Sequence, residues 1–240
     1  MADPRARSPK LSVVIPAYNE RATILEVIAR VRASPIDKEI IVVDDGSTDG
    51  TRDALSQFIA EHPDGSQARV RVLLQERNHG KGAALRRGFA AASGAVVVVQ
   101  DADLELDPRE YEKLIGPIDA GAADVVYGSR FLEGRGPGVT PLYYAGNVTL
   151  TWLSNILTGL RLSDVWTGYK AFRREVLSTV TLREDRFGFE PEFTAEVARA
   201  RWRVAQVPVS YHPRSRRAGK KIAFSDAVAG AWCTIRSSLR

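Results

Sequence analysis

The sequence predicts a single-domain α/β protein whose central sheet is mostly parallel and flanked by helices. In the first half of the 240-residue chain, short apolar runs of strand length alternate with segments that have helical periodicity. Strands that are separated by helices pair in parallel through right-handed crossovers. No repeat or linker divides the chain, and its length suits one α/β domain.

Five strands and four helices are predicted before residue 130. The strands cover residues 11–15, 39–43, 69–74, 96–99 and 124–127, and Pro16 closes the first of them. The first helix covers residues 21–32 and the third covers residues 81–92. The second helix has Ala54, Leu55, Phe58 and Ile59 facing inward. The fourth begins with Asp107 as N-cap and Pro108 in its first turn. The valines of 96–99 are all β-branched, which fits a strand buried on both faces.

The second half is less regular. A glycine-rich loop is predicted at 133–138, followed by a helix over about 143–158 that ends at Gly159. A later helix begins at Pro191, with Phe193, Val197 and Ala200 facing inward. A strand is predicted at 204–209. Residues 1–10 are predicted to be a flexible basic N-terminus, residues 11–224 the domain, and residues 225–240 an amphipathic C-terminal helix. The apolar face of that helix carries Val228, Ala231, Trp232, Ile235 and Leu239. This face could lie in a membrane interface, dock on the domain's own core, or bind a second copy in a homodimer.

Composition narrows the class of protein. The formal net charge is +5, and basic residues crowd the C-terminal end at Arg214, Arg216, Arg217, Lys220 and Lys221, which favours polyanionic partners. The lone cysteine, Cys233, suits a reducing compartment, and no signal core or membrane-spanning run is present in the sequence. The sequence therefore predicts a cytoplasmic protein, with peripheral contact to the cytoplasmic membrane face left open.

Polar and acidic residues follow three of the predicted strands: Tyr18-Asn19-Glu20, Asp44-Asp45 and residues 101–105. The carboxyl ends of parallel strands meet at one edge of a sheet, where ligands bind. Carboxylates that are forced together repel each other, and a divalent cation relieves that repulsion. Oxygen ligands suit Mg²⁺ or Mn²⁺, especially when phosphates complete the shell.

Several other classes are disfavoured. The chain has no G-x-G-x-x-G after its first strand and no G-x-x-x-x-G-K-S/T, and His79-Gly80-Lys81-Gly82 only weakly resembles a phosphate loop. The three histidines lie far apart with no nucleophile signature around them. A sugar-nucleotide pyrophosphorylase would carry a glycine-rich, arginine-containing loop after the first strand, whereas this chain has Pro16-Ala-Tyr-Asn-Glu20 there. A nucleic-acid-binding module would interleave aromatic and basic residues on one face, and no nucleic acid partner is expected.

An ordered set of motifs is more specific than any one of them. The set comprises Pro16-Ala-Tyr-Asn-Glu20, Val43-Asp-Asp-Gly-Ser-Thr-Asp49, Asn78-His-Gly-Lys-Gly82, Gln100-Asp-Ala-Asp-Leu104, Tyr127-Gly-Ser-Arg-Phe131, Phe187-Gly-Phe-Glu-Pro-Glu192, Tyr211-His-Pro-Arg214 and Gly219-Lys-Lys-Ile222. Over roughly residues 10–225 the chain resembles family 2 glycosyltransferases with a GT-A fold. It is most similar to their dolichol-phosphate and polyprenyl-phosphate mannosyltransferases.

The resemblance implies a nucleotide-sugar donor, a nucleotide-sugar-binding half at 11–130 and an acceptor-binding half with a basic loop at 131–224. Pro16, Ala17, Tyr18, Glu20, Val43, Asp45 and Ala102 would hold the donor, chiefly its nucleoside. Asp101 would contact the ribose or the metal-bound diphosphate, and Asp103 with Asp101 and Glu105 would ligate Mg²⁺ or Mn²⁺. Arg130 would reach phosphate or sugar, while Arg214, Lys220 and Lys170 would clamp the diphosphate. Asp107 is interpreted as a helix cap.

The acceptor is open between two alternatives. A polyprenyl phosphate is already an anionic nucleophile and needs no general base, whereas a hydroxyl acceptor would need one, for which Asp164, Glu190 and Glu192 are candidates. By resemblance the reaction is an inverting single displacement, with GDP-mannose as the leading donor and UDP-glucose or UDP-N-acetylglucosamine as alternatives. The chain departs from the family's usual residues at Glu105, Trp166, Leu142 and Tyr143. The last three of these lie where the acceptor should bind.

Overall fold

The computed structural model describes residues 10–62, 69–186, 188–214 and 224–239, which form a seven-stranded sheet with helices on both faces. The strand order is 3-2-1-4-6-5-7. All neighbouring strands pair in parallel except β6, which is antiparallel to both β4 and β5. Strands from both halves of the chain therefore share one sheet, and its mostly parallel character is confirmed.

The elements have the following bounds. The strands are β1 Leu11–Ala17, β2 Lys38–Asp44, β3 Arg69–Leu74, β4 Val96–Val99, β5 Val125–Ser129, β6 Lys170–Arg173 and β7 Val204–Pro208. The helices are α1 Ile24–Ala33, α2 Thr51–Glu61, α3 Lys81–Ala91, α4 Tyr111–Asp119, α5 Pro141–Thr158, α6 Phe189–Arg199 and α7 Phe224–Ser238. A short 3₁₀ helix at Pro108–Glu110 leads into α4, and Asp107 caps it by accepting from the amide of Arg109, as predicted.

Two strand predictions need correction. Pro16 does not end β1, which continues to Ala17 beside β2. Proline is tolerated there because β4 pairs only with residues 11–14 of β1, so Pro16 lies beyond the doubly paired part of the strand. The strand β6 is absent from the sequence-based prediction. Its four residues carry no distinctive alternation, and its antiparallel entry depends on contacts with β4 and β5.

The core lies on both faces of the sheet. Val96 and Val98 of β4 pack in one apolar cluster, and Val97 and Val99 pack in the other. The prediction that β4 is buried on both faces is confirmed. This burial fixes the direction in which the chain leaves β4, and therefore the position of the acidic residues that follow.

Several helix details also differ from the prediction. The helix α1 begins at Ile24 because residues 20–23 form a turn in which the Ile24 amide bonds to the Glu20 carbonyl. Ile59 and Ala200 face outward, because the buried faces of α2 and α6 end one turn earlier. The helix α5 begins at Pro141 after Thr140, whose hydroxyl accepts from the Tyr143 amide. Among the described residues, no helix combines the length and apolar character needed to cross a membrane.

Candidate active site

The loops that follow β1 and β2 are joined by hydrogen bonds. The Asn19 amide donates to the Ser47 hydroxyl at 3.0 Å, and the Glu20 amide donates to the Thr51 hydroxyl at 2.9 Å. Asn19 has a φ of 54°, a left-handed conformation that asparagine tolerates better than most residues. These bonds bring the Tyr18-Asn19-Glu20 segment beside the end of β2, as the sheet edge argument predicts.

The residues assigned to the nucleoside lie at this edge in different settings. Pro16 pairs with Val43 and Ala17 with Asp44 across β1 and β2; Val43 and Ala17 are buried, and Tyr18 is exposed. Asp45 accepts from the side chains of Gln75 and Asn78 and from the amides of His79 and Gly80, at 2.6–2.9 Å. Asp45 therefore organises the loop that leads into α3. Burial raises its pKa despite these hydrogen bonds.

Asp101 is turned toward a partly buried lysine, Lys81. Lys81 Nζ lies 2.8 Å from Asp101 Oδ1 and 2.8 Å from Glu190 Oε1, so one ammonium joins the end of β4 to α6. Burial opposes the charged lysine, but the two carboxylates outweigh it and raise the pKa of Lys81. The Asp101 carboxylate also rests on Gly168, where a Cβ would meet Asp101 Oδ2 at 1.9 Å. Gly168 therefore leaves the room that Asp101 needs.

Arg214 lies among three carboxylates. Its guanidinium is 3.0 Å from Glu20 Oε2, 3.2 Å from Asp103 Oδ2 and 4.0 Å from Glu105 Oε1. Glu105 also accepts from the Arg214 amide at 2.8 Å and from the Tyr211 hydroxyl at 3.1 Å. The segment before the basic loop is thus fastened to the acidic edge. Arg214 Nε is buried without a hydrogen-bond partner among the described residues.

The carboxylates around Arg214 form an all-oxygen set of hard donors. That chemistry fits Mg²⁺ or Mn²⁺, and the guanidinium shows that the position accepts positive charge. Within the described part of the chain, no three acidic, histidine or cysteine side chains are arranged to hold a metal ion by themselves. Ligand oxygens would therefore have to complete the shell.

Arg130 forms a buried ion pair. Its Nε and Nη2 lie 2.6 and 2.8 Å from the two oxygens of Asp164, and its Nη1 donates to the Tyr143 hydroxyl at 3.0 Å. The rings of Phe131 and Tyr211 also enclose the guanidinium. Asp164 is fully buried, so the pair holds the start of the Asp164-Lys170 segment against β5. Tyr143, one of the departures from the family's usual residues, completes this arrangement.

Lys170, at the start of β6, is fully buried. Its ammonium donates to the carbonyls of Val165 and Thr167, and burial lowers its pKa to about 8. In this conformation it supports the turn that precedes β6. The sequence-based assignment to the diphosphate would require the ammonium to leave those carbonyls. Lys220, the other predicted clamp in the basic loop, lies outside the described residues.

The three candidate bases are held by protein groups. Asp164 binds Arg130 and Glu190 binds Lys81. One oxygen of Glu192 accepts from the amides of Arg183 and Glu184 at 2.9 and 2.8 Å. These carboxylates therefore organise the second half of the site in the described structure.

Lys81 was missed as a site residue. A cation in the first turn of a helix is unfavourable beside the positive end of the helix dipole. A lysine at that position therefore indicates a carboxylate partner elsewhere in the chain, and this signal could have identified it. Its two partners, one from β4 and one from α6, could not be read from local sequence.

Asp103 gives the site a pH dependence. Burial, followed by repulsion from Asp101 and Glu105, raises the pKa of Asp103 to about 7. Between the ordinary carboxyl range and pH 7 the folded protein therefore holds a proton that the unfolded chain releases, so the free energy of unfolding falls as the pH rises through this window. We expect metal-free Asp103→Asn protein to melt several degrees above the wild type at pH 8 and to lose this advantage at pH 4.5.

Thermal melts of both proteins at several pH values would check this expectation. Asp119→Asn, at an exposed ion pair with Lys10, is the matched control and should show no such pH-dependent difference. An Asp103→Asn variant that is less stable than the wild type at pH 8 would contradict it.

The order of these features along the chain can be compared with known families. The model of glycosyl transferase family 2 matches residues 12–181, which include all three polar and acidic strand ends and the Arg130–Asp164 pair. The chain belongs to this family. It is therefore a glycosyltransferase.

Two curated relatives are similar to this family 2 glycosyltransferase over most of its length. The polyprenol monophosphomannose synthase of Mycolicibacterium smegmatis is 33% identical over 214 residues, covering 84% of this chain and 77% of its own. The dolichol-phosphate mannosyltransferase of Pyrococcus furiosus is 32% identical over 222 residues, covering 88% of this chain and 59% of its own. The matched region thus spans about three quarters of the length of the first relative and about three fifths of the length of the second.

A solved structure confirms the GT-A-type fold. Glucosyl-3-phosphoglycerate synthase from Mycobacterium tuberculosis, in complex with Mn²⁺, uridine diphosphate and phosphoglyceric acid, has a TM-score of 0.69 and 28% identity. The match covers 96% of this chain and 78% of that one. A second structure of that enzyme contains Mg²⁺ and uridine diphosphate. Divalent metal together with a nucleoside diphosphate therefore occurs in structural relatives.

Proposed function

We propose that the protein transfers a hexose, mannose from GDP-mannose, to a polyprenyl or dolichyl phosphate. The observation that carries the acceptor is the engagement of all three candidate bases: Asp164, Glu190 and Glu192 are each held by an ion pair or by backbone amides. A hydroxyl acceptor would need one of them freed. A phosphate acceptor has a second pKa of about 6 and brings its own negative charge. The mannosyl-transferring relatives support the choice of donor.

The donor would lie across the edge formed by β1, β2 and β4. Pro16, Ala17, Tyr18, Glu20, Val43, Asp45 and Ala102 would surround its nucleoside, with Asp101 at the ribose or diphosphate. Of these, Ala102 is already tied to the β1 loop, because its carbonyl accepts from the Thr23 hydroxyl at 2.7 Å. Arg214 would bind the diphosphate, and its unpartnered Nε supplies a spare donor for a phosphate oxygen. Lys220 and Lys170 are proposed to assist, and Arg130 to face the phosphate or sugar.

Asp103 and Glu105 would hold Mg²⁺ or Mn²⁺, joined by Asp101 if it leaves Lys81. A bound divalent ion would neutralise charge on the departing diphosphate. The acceptor phosphate would attack the anomeric carbon in a single inverting displacement, the bond to the diphosphate breaking as the new bond forms. Because the polyprenyl chain belongs in a bilayer, we propose that the reaction takes place at the cytoplasmic membrane face.

A transfer assay tests this proposal. The protein is incubated with GDP-mannose, Mn²⁺ and a short polyprenyl phosphate, and products are identified by mass spectrometry. We expect a mannosyl phosphopolyprenol, no product with the matching polyprenol that lacks phosphate, and no product with excess chelator. Transfer that is undiminished by the chelator would contradict the metal assignment.

A second candidate uses UDP-glucose or UDP-N-acetylglucosamine with a soluble or saccharide hydroxyl acceptor. The observation that favours it is the structural similarity to an enzyme crystallised with uridine diphosphate and phosphoglyceric acid. The same assay, run with UDP-sugars and small hydroxyl acceptors, separates the two. Transfer from a UDP-sugar to a soluble acceptor, with none to the polyprenyl phosphate, would replace the first proposal by the second.

Arg214 should compete with the metal before a nucleotide binds. Its guanidinium lies within 3.0–4.0 Å of Glu20, Asp103 and Glu105, so a metal ion at these carboxylates would meet a like charge. Two charges about 4 Å apart near a protein surface interact by about 1–4 kcal/mol. We expect Arg214→Gln to bind Mn²⁺ at least about tenfold more tightly without nucleotide, and to bind GDP more weakly with Mn²⁺ present.

Mn²⁺ titration followed by electron paramagnetic resonance, and calorimetry with GDP, would measure these two effects. Arg30→Gln, at an exposed pair with Glu26, is the control and should change neither. An Arg214→Gln variant with unchanged or weaker Mn²⁺ affinity would refute the competition.

A further inference from the structure

The buried side chains of helix α5 are all polar, whereas several of its large apolar side chains are exposed. Its 18 residues include no charged side chain. The buried residues are Asn147, Thr151 and Ser154. By contrast, Leu142 is 85% exposed, Trp152 62% and Ile156 59%. In water the hydrophobic effect favours the opposite arrangement.

The helix α7 repeats this pattern. Cys233, Thr234 and Ser237 are buried, whereas Trp232 is 64% exposed and Leu239, just beyond the helix, 74%. The apolar stripe, which the sequence left open between a membrane interface, the domain's own core and a second copy, points outward at Trp232 and Leu239. The helix docks on the domain through the opposite, smaller residues. The side chain of Val228 lies outside the described residues.

The Thr151 and Thr234 hydroxyls make hydrogen bonds within the protein, whereas the buried Ser154 hydroxyl has no hydrogen-bond partner among the described residues. The Thr151 hydroxyl donates to Asn147 Oδ1 at 3.3 Å and accepts from the Val165 amide at 3.3 Å, and the Thr234 hydroxyl donates to the Gly230 carbonyl at 2.9 Å. Close packing explains the small residues, since a Cβ on Gly230 would lie 2.4 Å from the ring of Trp166. The ring of Trp166, another departure from the family's usual residues, thus packs closely against α7 at Gly230.

The two helices pack against each other, so their exposed apolar residues belong to neighbouring elements. Small and hydroxyl-bearing residues at helix contacts, with large apolar residues outward, are typical of helices in lipid surroundings. Since no described helix can cross a bilayer, such helices would lie along its interface. Exposed tryptophans are favoured at that depth.

We propose that the outward residues of α5 and α7, namely Leu142, Trp152, Ile156, Trp232 and Leu239, form a contact surface for an anionic lipid bilayer. Charge selects this partner: α5 carries none, while Arg216, Arg217 and Lys221, which are not assigned to the diphosphate, stand just before α7 in a chain of net charge +5. The surface begins beside the site, because Tyr143 of α5 binds Arg130. This deepens the proposed function by naming the membrane as the partner from which a lipid phosphate would reach the site.

Vesicle flotation without any sugar donor tests the surface independently of transfer. Vesicles contain phosphatidylcholine alone or with phosphatidylglycerol, and the protein is the wild type, Leu142→Gln/Ile156→Gln, or the matched control Leu25→Gln/Ile59→Gln on α1 and α2. Leu25 and Ile59 are also exposed, so the control makes the same two substitutions, leucine and isoleucine to glutamine, outside the proposed surface. Thermal melts confirm that each variant is folded.

We expect the wild type and the control to float with the anionic vesicles, with tryptophan emission shifting to the blue, and to bind phosphatidylcholine vesicles more weakly. The Leu142→Gln/Ile156→Gln variant should bind anionic vesicles at least about tenfold more weakly, because the two amide side chains forfeit the apolar area that leucine and isoleucine would bury in the bilayer. Wild type that stays unbound, or a variant that binds as the wild type does, would overturn the proposal. So would a concentration-dependent dimer that this variant dissociates, because a second copy would then cover the surface.

Vesicle binding without transfer to polyprenyl phosphate would overturn the proposed function while supporting the surface. Transfer to a short polyprenyl phosphate in solution, without vesicle binding, would support the proposed function while overturning the surface. The two proposals therefore fail separately.

Discussion

Asp103→Asn is expected to lower the rate of sugar transfer by about a thousandfold while the protein remains folded. The side chain faces Arg214 at 3.2 Å, and its other oxygen accepts from the Glu105 amide at 3.1 Å. An amide can keep much of this hydrogen bonding but supplies no negative charge for a divalent ion. Loss of several kcal/mol of transition-state stabilisation corresponds to a rate loss of about 10³-fold.

Transfer kinetics at saturating Mn²⁺, together with Mn²⁺ and GDP binding, would measure this effect. Glu105→Gln should cost less, because the two Glu105 oxygens are already engaged by the Arg214 amide and the Tyr211 hydroxyl. Asp119→Asn is the distant control and should retain full activity. A folded Asp103→Asn enzyme with activity within about threefold of the wild type would remove Asp103 from the proposed metal site.

Lys81→Met should have the largest effect on stability. The substitution leaves the buried carboxylate of Glu190 and the partly buried carboxylate of Asp101 facing one another without the ammonium that lies 2.8 Å from each. Removing one partner of a buried ion pair typically destabilises a protein by about 3–5 kcal/mol. For a chain of this size that corresponds to a melting temperature lower by roughly 10 °C.

The loss should also depend on pH. Burial raises the pKa of Asp101 and the Lys81 charge lowers it. Without Lys81 the pKa of Asp101 in the folded state rises, so the variant recovers stability as the pH falls and a proton binds. Denaturant unfolding at pH 5 and pH 8 would show a smaller deficit at pH 5. Lys10→Met, at an exposed pair with Asp119, is the matched lysine control and should change stability by less than about 1 kcal/mol.

A Lys81→Met/Glu190→Gln double variant tests the assignment further. Replacing one carboxylate removes the repulsion, so the double variant should be more stable than Lys81→Met at pH 8. A deficit in Lys81→Met that is equal at both pH values, and that Glu190→Gln does not reduce, would mean that lost packing, not lost charge, causes it.

Much of the fold followed from local pattern. Strands such as Val96–Val99 were predictable because an unbroken β-branched run has few stable settings other than a sheet buried on both faces. The gathering of acidic residues at one edge followed from parallel pairing, and the family was indicated by the order of its motifs. The cap at Asp107 needed only two neighbouring residues.

The directions of the charged side chains did not follow from local pattern. Asp101 and Asp103 are two residues apart, yet one meets Lys81 and the other Arg214. The sequence-based prediction made both residues metal ligands. Which one faces the open edge depends on α3, α6 and the segment before the basic loop, and Lys81 and Glu190 are 109 positions apart.

The sequence by itself therefore determined six of the seven strands, the acidic edge and the family, because these depend on side-chain alternation and on residue order. Only the tertiary structure decided that β6 exists and runs antiparallel, that Asp164, Glu190 and Glu192 are held by protein groups, and that α5 and α7 expose several large apolar residues. The physical reason is that burial and ion pairing are properties of contacts between distant segments. A helical stripe in the sequence states that a face is apolar, and the neighbouring elements determine what that face meets.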